Sequence, residues 1–138
     1  MSVVGIFLKG NRAHIVTLEG TKKEHHFVDE EFKVLEFEKN PTQKDVAAAL
    51  KKLQSHIDAH GVKKIILNRR ITAGQMAGAA GTFLWEGVLL AASPLPLTFV
   101  HAATLRSTAK KHGDLKHSIP EELLGKTKAY DFAFEGLK

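Results

Sequence analysis

The chain has 138 residues, with 20 Lys+Arg against 15 Asp+Glu, 43% hydrophobic and 25% charged. That balance belongs to an ordinary folded domain and excludes a disordered or collagen-like chain. With no cysteine there is no disulfide, no thiolate chemistry and no cysteine-ligated zinc or iron-sulfur centre. A core of this size buries roughly two thirds of the surface that the unfolded chain exposes, so one domain spanning residues 1–138 needs no staple. Residues 1–8 are too short an apolar run for a signal peptide, and the expected compartment is cytoplasmic.

The net charge of +5 is segmental. Residues 1–58 hold nine bases and nine acids, and residues 114–138 hold four bases and five acids. Residues 59–113 hold seven bases (Lys63, Lys64, Arg69, Arg70, Arg106, Lys110 and Lys111) against the single acid Glu86. Basicity concentrated in one stretch points to an anionic partner more than the same charge spread evenly would.

In chain order, residues 3–8 form a β-branched apolar run, Gly10-Asn11 makes a turn, and residues 13–18 resume the run: strand, turn, strand. Phe32, Val34, Leu35 and Phe37 mark a third strand after a charged cluster, and His25-His26 falls in that charged turn, where neighbouring side chains of an extended chain point oppositely. Thr42, with Asp45 three residues on, caps a helix whose Val46, Leu50, Leu53 and Ile57 recur at helical spacing, and Gly61 ends it. Residues 64–67 read as a strand and residues 72–92 as a long helix, its first half small (Gly74, Gly78, Gly81) and its second half bulky (Phe83, Trp85, Leu89). Gln75 and Glu86 interrupt the apolar stretch before it reaches the roughly 20 residues of a membrane span, so no membrane role is expected. Pro94 and Pro96 stop that helix, residues 97–100 form a fifth strand, residues 102–111 another helix, residues 114–125 a loop, and residues 127–137 a short closing helix. There is no internal repeat. A meander followed by alternating helices and parallel strands is the RNase H-like pattern: an α/β fold with a mixed five-stranded sheet and helices on both faces.

Short segments agree with the pattern. Val4-Gly5-Ile6-Phe7-Leu8-Lys9-Gly10 resembles the first strand and turn of RuvC-type Holliday-junction resolvases, whose motif reads Gly-Ile-Asp-Pro-Gly. Ala102-Ala103-Thr104-Leu105-Arg106 is similar to an inner resolvase helix, and Ala129-Tyr130-Asp131-Phe132-Ala133 to the opening of the last one. Leu8-Lys9-Gly10-Asn11 and Arg70-Ile71-Thr72-x-Gly74-x-x-Ala77-Gly78 resemble a small bacterial family of RNase H-like domains of unknown function. The resemblance implies three or four carboxylates, at the ends of the first and fourth strands and on the last helix, holding two Mg²⁺ or Mn²⁺ ions about 4 Å apart. Here the first-strand position is Phe7, the fourth-strand position falls at Asn68 or Arg69, and no acid occurs from residue 59 to 85. Asp131 alone keeps its place, with Asp114 a local substitute, and one carboxylate does not hold two metals.

Arg69 and Arg70 follow an apolar strand and precede a helix, where open α/β sheets place their ligands, and Thr72 adds a hydroxyl. Two guanidiniums there can clamp phosphate, or one can pair with an acid such as Asp131 and the other face water. Arg106 and Lys110 lie four apart, with Lys111 beside them, either as a phosphate contact or as a solvated helix face. His112, Asp114 and His117 are three metal-ligating groups within six residues, enough for a metal only with a further ligand. Lys9 sits in the turn beside the expected metal position, where an ammonium can stand in for a cation. No nucleophile elbow, P-loop or dinucleotide fingerprint is present. Three functions remain open: a non-catalytic nucleic-acid-binding protein, a protein-interaction module or homodimer packed through Phe83, Trp85 and the bulky half of the long helix, and a metal-dependent nuclease whose site has moved to Asp131, Asp114, His112 and His117.

Overall fold

The computed structural model describes residues 2–28, 34–37, 40–68, 80–116 and 127–138. The strands are β1 (Ser2–Lys9), β2 (Arg12–Gly20), β3 (His25–Val28), β4 (Val34–Glu36), β5 (Val62–Asn68) and β6 (Leu97–Val100). The helices are α1 (Gln43–His60), α2 (Ala80–Ala92), α3 (Ala102–His112) and α4 (Thr127–Gly136), with a 3₁₀ turn at Gly113–Leu115 between the last two. The sheet runs β3-β2-β1-β5-β6, and β4 also pairs with β2. β1, β2 and β3 are antiparallel, whereas β1, β5 and β6 are parallel.

The sheet has six strands where five are predicted. β2 is long enough to take two partners, β3 along Thr17–Gly20 and β4 along Arg12–His14. His25 and Phe27 pair within the sheet although charged residues surround them, so a segment that reads as a polar turn is a strand. The opposed side chains predicted for adjacent histidines are seen there: His25 is buried and His26 exposed.

β1 lies at the centre and is covered on both faces, which is why it reads as a continuous apolar run. Val4, Ile6 and Leu8 face α1 (Ala49, Leu53, Ile57) and α2 (Trp85, Leu89). Val3 faces α4 (Ala129, Tyr130, Phe134), with Leu105 and Leu115 packed at the margin. α4 crosses β1 so closely that a β-carbon at Gly5 would run into the Ala129 carbonyl oxygen and the Ala133 backbone nitrogen. Glycine at position 5 is therefore what lets the last helix seat on the first strand.

α1 forms where predicted. The Thr42 hydroxyl accepts from the Asp45 N–H at 3.2 Å and the Asp45 carboxylate accepts from the Thr42 N–H at 2.9 Å, a complete capping box. Gly61, at φ 59°, closes the helix in the left-handed region.

A candidate nucleic-acid interface

β1, β5 and β6 are parallel, so their carboxyl ends lie along one edge of the sheet, and Phe7 and Asn68 sit near the ends of β1 and β5. Phe7 is half-buried and stacks on Phe132 of α4 (centroids 6.4 Å apart) and on His14 of β2 (6.3 Å). The Asn68 Oδ1 accepts from the Leu8 N–H at 3.0 Å, so this side chain ties β5 to β1. Asp131, one turn into α4, accepts from the Lys116 Nζ at 2.8 Å, and both side chains are about four-fifths buried (21% and 19% exposed). Lys116 also lies over the Phe134 ring, 5.5 Å from its centroid.

These residues do not fit a pair of divalent cations. Two of the positions that would supply carboxylates are an aromatic ring and an amide already bonded to backbone, and the third carries its own ammonium counterion. Among the described residues no three His, Asp or Glu side chains come together as a metal site. His112 and Asp114 are exposed at the end of α3 and in the 3₁₀ turn, and His117 lies outside the described residues.

The predicted basic residues divide by position. Lys9 is exposed at the carboxyl end of β1. Arg69, Arg70 and Thr72 lie outside the described residues. Arg106, Lys110 and Lys111 are exposed along α3, whose inward stripe is Leu105 and Thr108. α3 starts at the carboxyl edge, just after β6, and runs away from it. The Thr108 hydroxyl donates to Glu135 in the last turn of α4. That last turn lies at the other end of the sheet: Gly136 rests on Val3 and Ile66, and Lys22, just beyond β2, donates to the Glu135 and Leu137 carbonyls. Lys110 and Lys111 therefore stand near the amino end of β1, far from Lys9. Sequence reasoning missed the partnership of Lys116 with Asp131, because the two lie 15 residues apart in the chain with no periodic relation between them.

The bulky half of α2 also divides. Trp85 is 1% exposed, stacks on Phe37 (centroids 4.1 Å, planes 11° apart) and donates its indole N–H to the Asn11 carbonyl at 2.8 Å. It belongs to the core and is not available to a second copy, which corrects the prediction that it packs at an interface. Phe83, Leu84 and Leu90 are the exposed members, 41%, 37% and 59%. Among the described residues no helix is long and apolar enough to cross a membrane.

A mixed sheet of this order, with α4 seated on its central strand, is an α/β fold of the RNase H-like kind. Two solved structures agree: Thermus thermophilus RuvC, 14% identical, with a TM-score of 0.71 over 98% of this chain and 92% of that one, and T. thermophilus RuvC in complex with Holliday junction substrate, 15% identical, with a TM-score of 0.69 over 98% and 91%. At such identity the likeness is one of fold. No curated protein matches the sequence. The chain belongs to the family described as "Protein of unknown function (DUF3010)", whose model matches residues 1–136.

Proposed function

We propose that this protein binds nucleic acid without cutting it, using an RNase H-like scaffold from which the metal-holding carboxylates are missing. The observation that carries the reading is the Lys116–Asp131 pair beside the Phe7–Phe132 stack. Where a two-metal nuclease needs several unpaired carboxylates, the described residues there offer one carboxylate, paired with an ammonium, and an aromatic wall. Binding is supported by the exposed bases on α3 and by the surplus of seven bases over one acid in residues 59–113. The neighbour solved with a Holliday junction adds that a scaffold of this kind is compatible with a DNA ligand.

The test is fluorescence anisotropy of labelled duplex, single-stranded and four-way-junction DNA and of RNA, at low and moderate salt, with and without Mn²⁺. Binding that weakens steeply as salt rises, with the nucleic acid intact in Mn²⁺, supports the reading. Cleavage in Mn²⁺ supports instead a relocated metal site around Asp131, Asp114, His112 and His117. A second reading, a homodimer or protein-interaction module, is favoured by the exposed Phe83, Leu84 and Leu90. It predicts self-association that is insensitive to salt and is lost in Leu90→Asp.

A further inference from the structure

The described bases do not gather at the carboxyl edge, where the likeness to nucleases directs attention, but toward the opposite edge. β5 begins there with a bulge. Ser2 pairs with Val62 and Val3 with Lys64, which leaves Lys63 as an extra residue in the ladder. The bulge turns two successive lysines to solvent, since Lys63 and Lys64 are both exposed while Val62 and Ile65 on either side are buried. Lys64 lies two residues before Ile66 and shares its face of the sheet. Ile66 packs with α4 on that face, the one to which α3 contributes Leu105. α3 brings Lys110 and Lys111 toward the same edge, because Thr108 meets the last turn of α4. Among the described residues the nearby acids are few: Glu135 accepts from the Thr108 hydroxyl and keeps its charge, Asp58 near the end of α1 accepts from Gln54 at 2.8 Å, and Glu19 faces His26 at 3.6 Å on the β2 side.

The last-turn lysines of α3 complement the dipole of their own helix, which is reason enough for Lys110 and Lys111. It gives no reason for Lys63 and Lys64, which open a strand. Two elements with unrelated local needs thus present exposed lysines at the same end of the sheet. We infer that the phosphate backbone of a duplex is met by the amino-end edge of the parallel strands, through Lys63, Lys64, Lys110 and Lys111, and not by the carboxyl-end edge around Lys9. This inference rests on the nucleic-acid reading above and assigns it a surface.

The experiment uses the full chain and a fluorescein-labelled duplex DNA of random sequence, titrated across a series of salt concentrations. The variants are the triple reversal Lys64→Glu/Lys110→Glu/Lys111→Glu, its milder Lys→Gln counterpart, and Lys9→Glu. All four side chains are exposed, so the fold should persist, and far-UV circular dichroism with a thermal melt checks it. Expected are a loss of affinity on the order of 100-fold in the triple reversal and a smaller loss in the glutamine set. The slope of log K against log salt should become shallower by about 2–3, and Lys9→Glu should stay within about twofold of wild type. A folded triple variant that binds like wild type, or a Lys9→Glu loss larger than that of the triple variant, overturns the surface assignment while leaving the binding function standing. A wild-type chain that binds no duplex even at low salt overturns the function itself, and the surface with it.

Discussion

Gly5 is the residue on which the architecture turns most sharply. Its missing side chain is the space in which α4 crosses β1, and the atoms a methyl group would strike are backbone, which cannot rotate away. Gly5→Ala is expected to cost about 3 kcal/mol or more, read as a lowered midpoint in urea unfolding with little change in slope. Thr42 has a smaller, local effect. Thr42→Ala removes half of the capping box and should cost about 1 kcal/mol without altering the sheet. Trp85 joins α2 to the β1–β2 turn through one hydrogen bond to Asn11 and to Phe37 through a stack. Trp85→Phe keeps most of the ring contact but leaves the Asn11 carbonyl without that donor, for an expected loss of about 1–2 kcal/mol by the same measurement. His25 shows why single residues mislead a reader of sequence. Its Nδ1 faces the carbonyl oxygens of Thr21 and Lys22, at 3.2 and 3.1 Å, so this nitrogen carries a proton. Its Nε2 meets the Tyr130 hydroxyl at 2.9 Å. A histidine so satisfied behaves as core.

At the scale of elements, legibility follows the range of the interactions that decide each one. α1 is legible because its start, stop and inward face are all written within its own residues: Thr42 with Asp45, Gly61, and Leu53 with Ile57. β3 is not, because its burial depends on α4, which arrives about a hundred residues later to supply Tyr130 and Phe134. The same reason hides the partner of Asp131. The motif position is legible and the Lys116 ammonium beside it is not, since they meet only when the chain returns from α3 through the 3₁₀ turn. Because both side chains are largely buried, Asp131→Ala should cost about 1–2 kcal/mol, between the values for exposed and fully buried pairs. A double-mutant cycle with Lys116→Met measures the coupling, and additivity of the two single changes would show that the pair is not energetically linked.

For the molecule as a whole, the fold class was readable from the order of apolar runs, because a central strand buried on both faces and a helix-to-strand crossover leave few topologies. The proposed binding surface was readable only as a surplus of charge. Which end of the sheet the exposed lysines face is set by the direction of α3 and by a one-residue bulge in β5, neither of which has a periodic signature, and Arg69, Arg70 and Thr72 lie outside the described residues. The fold thus resembles that of RuvC, whereas the Asp131 carboxylate is paired with Lys116 and the exposed lysines of β5 and α3 lie toward the other end of the sheet. The most direct test of that account is one titration of labelled duplex and four-way-junction DNA at two salt concentrations in the presence of Mn²⁺, followed on the same samples by a denaturing gel. Affinity that falls steeply with salt and DNA that stays intact are the expected results. Cleaved DNA, or no binding at the lower salt, would contradict the proposed function.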